Sequence, residues 1–167
     1  MINIRSFQAQ DAEAVRSLFA QGLMDFAQGF EREVGGYVQE SLNDDLADID
    51  SSYMDDPANH FWVADEDGEV KGMVGVQRRS DQDAELRRMS VASTARRRGV
   101  GLMLLETVEA FCLERGHQRI QLTTVNLLTA AIAMYRRFGF ELTGEESYGR
   151  MSAQHYTKDL TDLSTRA

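Results

Sequence analysis

The run Arg96-Arg97-Arg98-Gly99-Val100-Gly101 is the part of this sequence whose residue types and spacing can do chemistry. Guanidinium groups offer charge-assisted hydrogen bonds to phosphate oxygens, and glycines let the main chain approach such an anion closely. If the run joins a strand to a helix, the unpaired N–H groups of the first helical turn and the helix dipole favour the same anion. A solvated basic turn would have the same composition, so context must decide. A dinucleotide-binding loop would need a third glycine near Leu104, and a P-loop would need Gly-Lys-Ser/Thr after the turn; neither is present.

The setting makes the arginines conspicuous. The chain carries a formal net charge of −9 over 167 residues, yet Arg78, Arg79, Arg87, Arg88, Arg96, Arg97 and Arg98 crowd one stretch. The acidic balance argues against nucleic acid as a partner and suits cationic small molecules or basic peptides. An apolar fraction of 43% and a charged fraction of 27% are those of a globular protein, and the length predicts a single domain over residues 1–167. The one cysteine, Cys112, can form no internal disulfide, and no Cys/His spacing of the zinc kind occurs, so no metal is expected. Apolar stretches such as residues 127–135 are far shorter than a membrane span, which predicts a cytoplasmic protein with no membrane partner.

The elements that must position the arginine-glycine run are legible around it. Residues 2–7 alternate as a strand, and Asp11 offers an N-cap to a helix over 12–21. Residues 24–53 carry apolar side chains at roughly helical spacing, with Gly29, Gly35 and Gly36 between them, predicting one or two helices with mobile joints that end before Pro57. Residues 61–64 and 70–77 read as strands joined by an Asp67-Gly68 hairpin, and residues 85–91 add a third antiparallel strand. Leu104, Leu105, Val108, Phe111 and Cys112 then mark a helix closed by Gly116, which makes Cys112 a core residue. With a strand over 119–125, residues 85–125 form a right-handed βαβ unit, so the sheet is mixed. A helix over 129–138 stopped by Gly139, strands over 140–143 and 151–158, and a frayed end over 164–167 complete the reading.

In this order and setting, Met89-Ser90-Val91, the Arg96-x-x-Gly99-x-Gly101 run and Tyr135-Arg136-Arg137-Phe138-Gly139-Phe140 resemble the GNAT-type N-acetyltransferase superfamily, across roughly residues 61–143. Residues 85–91, Glu-Leu-Arg-Arg-Met-Ser-Val, and the Ala131-x-x-x-Tyr135 helix are similar to the camello-like branch, here in a soluble form. The resemblance implies an α/β acyl-CoA N-acyltransferase fold with a mixed, mainly antiparallel sheet, acetyl-CoA as co-substrate, and commonly a homodimer. It implies that strands 85–91 and 119–125 splay and that the pantetheine arm enters the gap beside Met89, Ser90 and Val91. A main-chain N–H beside Met89 would polarise the thioester carbonyl. Arg96, Arg97, Arg98, Gly99, Val100, Gly101 and Leu102 would cradle the pyrophosphate. Many relatives carry an asparagine where this chain has Leu128, and Asn126 is the candidate replacement.

Transfer of an acetyl group to an amine needs a neutral amine, a route for its proton, and an acid for the departing thiolate. Tyr135 matches the family position of that acid. Glu85 is the candidate base, directly or through water, although a carboxylate at a strand start serves as readily as an arginine partner. His60, His117 and His155 are isolated and are read as structural or exposed. No covalent nucleophile stands beside a base, so direct attack in a ternary complex is expected. The acceptor is placed between residues 24–53 and a loop holding Glu145, Glu146 and Tyr148, whose carboxylates favour a cation. Two rivals differ in class: an acyl-CoA sensor that binds without turnover, and a nucleic-acid binder using the arginines, against which the net charge stands.

Overall fold

The structure, a computed structural model, describes residues 1–164. The first strand β1 (Ile2–Ser6) leads through a 3-10 turn into α1 (Ala12–Met24) and α2 (Glu31–Asn43). The meander β2 (His60–Glu66), β3 (Glu69–Arg78) and β4 (Asp83–Val91) follows. Then come α3 (Val100–Glu114), β5 (Arg119–Val125), α4 (Thr129–Phe138), β6 (Glu141–Tyr148), β7 (Met151–Asp159) and the short α5 (Thr161–Ser164). Among the described residues the seven strands make one sheet in the order β1-β2-β3-β4-β5-β7-β6. Only β4 and β5 run parallel, joined through α3, and every other pair is antiparallel.

Helices cover both faces, and the alternation of side chains along the strands divides the core accordingly. In β2, Phe61 and Val63 face α1 and α2 together with Val15, Phe19, Val38 and Tyr53. Trp62 and Ala64 face α3 with Leu104, Val108 and Phe111. A strand buried on both sides reads as a continuous apolar run, and Phe61-Trp62-Val63-Ala64 is one. The β2–β3 turn follows its sequence closely: Asp67 at φ 53° and Gly68 at φ 89° are the two left-handed residues that a tight hairpin requires.

Four expectations need correction. Asp11 does not cap α1 through its side chain; it closes the preceding 3-10 turn, accepts the Gln8 N–H at 2.8 Å and holds Arg5 at 2.9 and 3.0 Å. The charged partner from β1 is the stronger one. Gly35 and Gly36 lie inside α2 and are not joints; the irregular pieces are a 3-10 turn at Asp45–Ala47 and a π turn at Asp50–Met54. Strand β6 runs on to Tyr148, so Glu145 and Glu146 stand on a strand paired with β7 and not in a loop. Ser164, where fraying was expected to begin, closes the short helix α5, while residues 165–167, the rest of that expected frayed end, lie outside the described residues.

The packing predicts opposite effects at two glycines. A Cβ on Gly75 in β3 would lie 2.7 Å from Tyr53 Cε1 and 2.9 Å from Phe61 Cδ2, two rings already locked edge to face at 5.1 Å between centroids. Gly75→Ala should lower the free energy of unfolding by about 1–3 kcal/mol, as overpacked cores do. Gly36→Ala, at an exposed position of α2 with nothing within 4 Å, should raise it by about 0.5–1 kcal/mol. Urea titration of the two variants beside the parent checks both signs.

Candidate active site

The sheet opens at β4. Its parallel pairing with β5 consists of Asp83↔Arg119, Ala84↔Ile120 and Glu85↔Gln121, and from Leu86 onward the strands part. Toward β3 the register slips between Met73↔Ser90 and Gly75↔Arg87, so that Val74 stands opposite both Arg88 and Met89. Arg88 takes the extra place at φ 58°. That left-handed backbone costs a non-glycine residue roughly 1–2 kcal/mol, and a bulge of this kind bends its strand.

What holds the bulge is the side chain on it. Arg88 donates to Asp45 at 2.9 Å through Nε and 2.6 Å through Nη2, and to the Tyr37 hydroxyl at 2.9 Å through Nη1. Its guanidinium also lies 5.3 Å from the Phe19 ring centre and 5.7 Å from that of Tyr37. Tyr53 donates its hydroxyl to Asp45 as well. Burial alone would raise the Asp45 carboxyl, but hydrogen bonds from Arg88 and Tyr53 outweigh it and hold the group below the usual carboxylate range. Burial likewise opposes the charge on Arg88, and Asp45 overcomes it.

On the α3 side of the parted strands runs a groove of about 760 Å³. Its outer wall is the turn into α3: Gly99, at φ 78°, is the N-cap, and the main-chain N–H groups from Gly99 to Leu102 have no partner within the helix. Arg96, Arg97, Val100 and Gly101 line the same end, and Met89, Ser90 and Val91 form the strand side. The ionised side chains that line the groove are Arg96, Arg97 and Arg137, all positive in a chain of net charge −9. Arg96 lies 4.9 Å over the Phe26 ring with only a 3.4 Å contact to Asp25, which leaves its guanidinium able to turn to an anion.

Tyr135 closes the inner end. It stands in the last turn of α4, which stops in a Schellman arrangement: Gly139, at φ 111°, donates its N–H to Arg136 O at 3.1 Å, and Phe140 donates to Tyr135 O at 3.0 Å. The buried Tyr135 hydroxyl points at Met89 Sδ, 3.6 Å away, and desolvation raises its pKa above the usual phenol value. Gly101 lets α4 come this close, since a Cβ there would sit 2.6 Å from Met134 Sδ. A second cavity of about 130 Å³ lies on the α1 and α2 side of the gap and shares Leu23, Met89, Leu128, Ala131 and Tyr135 with the groove. The two spaces meet at Tyr135.

Other residues singled out in the sequence lie elsewhere. Arg98 turns away from the groove to fork Glu66 at the end of β2. Glu85 pairs with Arg79 at 2.9 Å and Arg87 at 3.4 Å and lines neither cavity. Asn126 exchanges hydrogen bonds with Ser152, both at 3.0 Å, tying the end of β5 to β7, while Leu128 faces both cavities. Glu145 bonds Ser152 Oγ at 2.5 Å and Glu146 bonds His155 Nε2 at 3.2 Å; the side chain of Tyr148 lies outside what the structure describes. Cys112 is buried, its thiol pushed up to about 12 by desolvation, and His60 and His117 are held neutral-leaning by burial. Among the described residues no cluster of three or more His, Cys, Asp or Glu is arranged to hold a metal ion.

Sequence reasoning missed Arg88, Asp45, Tyr37 and Arg137. A signal for Arg88 was present: apolar residues at 84 and 86 resume at 89 and 91, and this one-residue phase slip is the mark of a bulge. Nothing local marks Asp45, whose partner is 43 positions away.

Residues 23–140 match the model of the acetyltransferase (GNAT) family. The chain is 40% identical over 115 residues to a probable N-acetyltransferase camello of Xenopus tropicalis, covering 68% of this chain and 52% of that protein. The chain thus spans about half the length of the curated relatives it matches. In fold it is similar to an acetyltransferase of the GNAT family from Staphylococcus aureus Mu50, with a TM-score of 0.81, 22% identity and coverage of 96% and 100% of the two chains. It is also similar to a PaiA N-acetyltransferase from Thermoplasma acidophilum in complex with coenzyme A, with a TM-score of 0.79, 17% identity and coverage of 95% and 99%.

The buried pair behind the bulge makes a prediction of sign and size. Asp45→Asn leaves Arg88 buried without its counter-charge and should cost about 3–5 kcal/mol of stability at pH 7. Because the folded-state pKa of Asp45 is depressed, its contribution is complete above the pKa of the unfolded chain and is lost as pH falls through the folded value. The stability gap between parent and Asp45→Asn should therefore narrow as pH falls below about 4, the ordinary aspartate value, in denaturant titrations run across that range.

Proposed function

This chain belongs to the GNAT family of acetyltransferases, and from that premise we propose that it transfers an acetyl group from acetyl-coenzyme A to an amine by direct attack in a ternary complex. The observation that carries the reading is the groove: it has a helix N-terminus and three arginines along it and a buried tyrosine hydroxyl at its inner end, where the strands part. That is the order of charges along a thioester of coenzyme A, anionic at the nucleotide end and uncharged at the sulfur. The similar PaiA structure holds coenzyme A, which supports the same assignment.

In this reading the main-chain N–H groups from Gly99 to Leu102, with Arg96 and Arg97, take the pyrophosphate. The pantetheine arm lies along Met89, Ser90 and Val91, and the bulge presents Met89 main chain to the thioester oxygen. The amine nitrogen forms the new C–N bond, the C–S bond breaks, and the sulfur leaves with the electron pair. Tyr135 gives the thiolate its proton, and the proton released by the amine goes to water or back to the phenolate. Burial keeps Tyr135 protonated well into the alkaline range, the state a donor needs. Glu85, held by two arginines, is placed for a structural role, so water is the favoured route for the amine proton. One domain, a cytoplasmic location and a homodimer complete the proposal; the single buried Cys112 suits a reducing compartment, and light scattering tests the dimer.

Gly99→Ala and Gly99→Glu separate strain from charge, because both suffer the left-handed backbone and only one adds an anion where the phosphates belong. Both variants should lose about 1–2 kcal/mol of stability. Calorimetry should show a clear loss of acetyl-CoA affinity for Gly99→Glu beyond that of Gly99→Ala, and equal affinities would remove the pyrophosphate from this turn.

Tyr135→Phe keeps the ring and its packing on Phe140 and removes only the hydroxyl. Its chemical step, measured in single turnover, should slow by roughly 10²-fold with little change in acetyl-CoA affinity. A wild-type rate across the alkaline range would exclude Tyr135 as the acid.

A further inference from the structure

The second cavity carries more than its position. It lies against α1, α2, β5 and β7, across the gap from the α3 end of the groove, and meets the groove where Leu23, Met89, Leu128, Ala131 and Tyr135 line both. Resting on the acetyltransferase reading, this is where an acceptor nitrogen would reach the thioester. Its walls are Phe19, Leu86, Leu122, Val125 and Ala153, with Arg88 at one side. Among the described residues Arg88 is the only ionised side chain lining it, and Asp45 already matches that charge at 2.6 and 2.9 Å. The other polar contributors are the uncharged Tyr37, Thr123, Thr124 and Tyr135. Glu145 and Glu146, which the sequence offered as the attraction for a cation, stand on β6 and line neither cavity.

An ammonium group entering this space would lose water and meet no anion, only a guanidinium, so the cavity favours the neutral amine. The neutral form is also the one that attacks. The volume sets the size of what accompanies the nitrogen. An enclosed apolar cavity of about 150 Å³ takes one benzene ring, and this one, open to the groove, offers about 130 Å³, room for one group of that size. We propose that the acceptor is a monoamine carrying one compact apolar group, a single ring or a branched aliphatic chain, bound as the free base in the cavity between α1, α2, β5 and β7.

The test is free-thiol release from acetyl-CoA with methylamine, isopentylamine, benzylamine, 2-naphthylmethylamine and putrescine. Burying a ring or a branched chain in place of methyl should raise kcat/KM by roughly 10²-fold from methylamine to isopentylamine and benzylamine. The value should drop again for the two-ring amine, and putrescine, a dication, should rank with methylamine or below. Ala153→Leu fills the cavity without touching the groove, so the preference for benzylamine over methylamine should shrink by about tenfold or more while acetyl-CoA affinity by calorimetry stays at the parent value. The parent's amine series decides the matter even if that variant fails to fold. Putrescine as the best acceptor, or kcat/KM indifferent to the apolar group, overturns this inference and leaves acetyl transfer standing. Acetyl-CoA binding with no thiol release from any amine overturns both readings.

Discussion

The ion pair between Arg88 and Asp45 is the constraint on which the rest of this structure depends. A bulge in the middle of a sheet is unfavourable in two ways, since it breaks the ladder and here places a non-glycine residue in the left-handed region. It persists because the alternative is worse. Straightening β4 by one residue would turn Arg88 out of its place under α2 and leave Asp45 charged, buried and without its partner. Breaking a buried pair costs about 3–5 kcal/mol, more than the roughly 1–2 kcal/mol of backbone strain that the pair sustains. The net worth of such a pair to stability is small once desolvation is counted. Its effect is to make one path of β4 much cheaper than its neighbours.

From that path the site follows. A bent β4 leaves β5 after three paired residues, and the opening has a face toward α3 and a face toward α1 and α2. The two faces differ in character because, beyond the α1, β4 and α4 residues that line both, different elements supply them. The α3 face takes a helix N-terminus and arginines, and the α1 and α2 face takes rings and aliphatic side chains around a neutralised charge. Tyr135 stands where they meet, fixed by a helix end that can stop only at a residue free to adopt φ 111°. A group that enters from either side comes to the same hydroxyl.

The arginine cluster shows how one composition serves two ends. Arg78, Arg79, Arg87 and Arg88 are committed to Asp81, Glu85 and Asp45, and Arg98 is committed to Glu66. They knit strand ends and the bulge, and their charges are spent locally. Arg96, with its weak contact to Asp25, and Arg97 remain beside the groove, where Arg137 joins them from α4. A positive groove in a chain of net charge −9 is therefore made by few residues, and its attraction for an anion is short in range at physiological ionic strength.

The sequence by itself determined the elements whose signals are local. The hairpin at Asp67-Gly68, the αL glycines that end α3 and α4, and the glycine-rich turn into α3 are each a property of a few neighbouring residues, because backbone conformations at positive φ admit few residue types. The same locality made the family resemblance readable, and of the residues it singled out, Met89, Ser90, Val91, Arg96, Arg97, Gly99, Val100, Gly101, Leu102 and Tyr135 line the groove. Tertiary structure alone decided the rest. Whether Glu85 faces a substrate or an arginine, whether Arg98 faces a phosphate or Glu66, and whether Asn126 faces the groove or Ser152 depends on partners distant in the chain. So does the pairing of Asp45 with Arg88, which joins the 3-10 turn after α2 to the middle of β4. A charged side chain takes the best partner the fold brings within reach, and a sequence shows the charge without showing what lies opposite it.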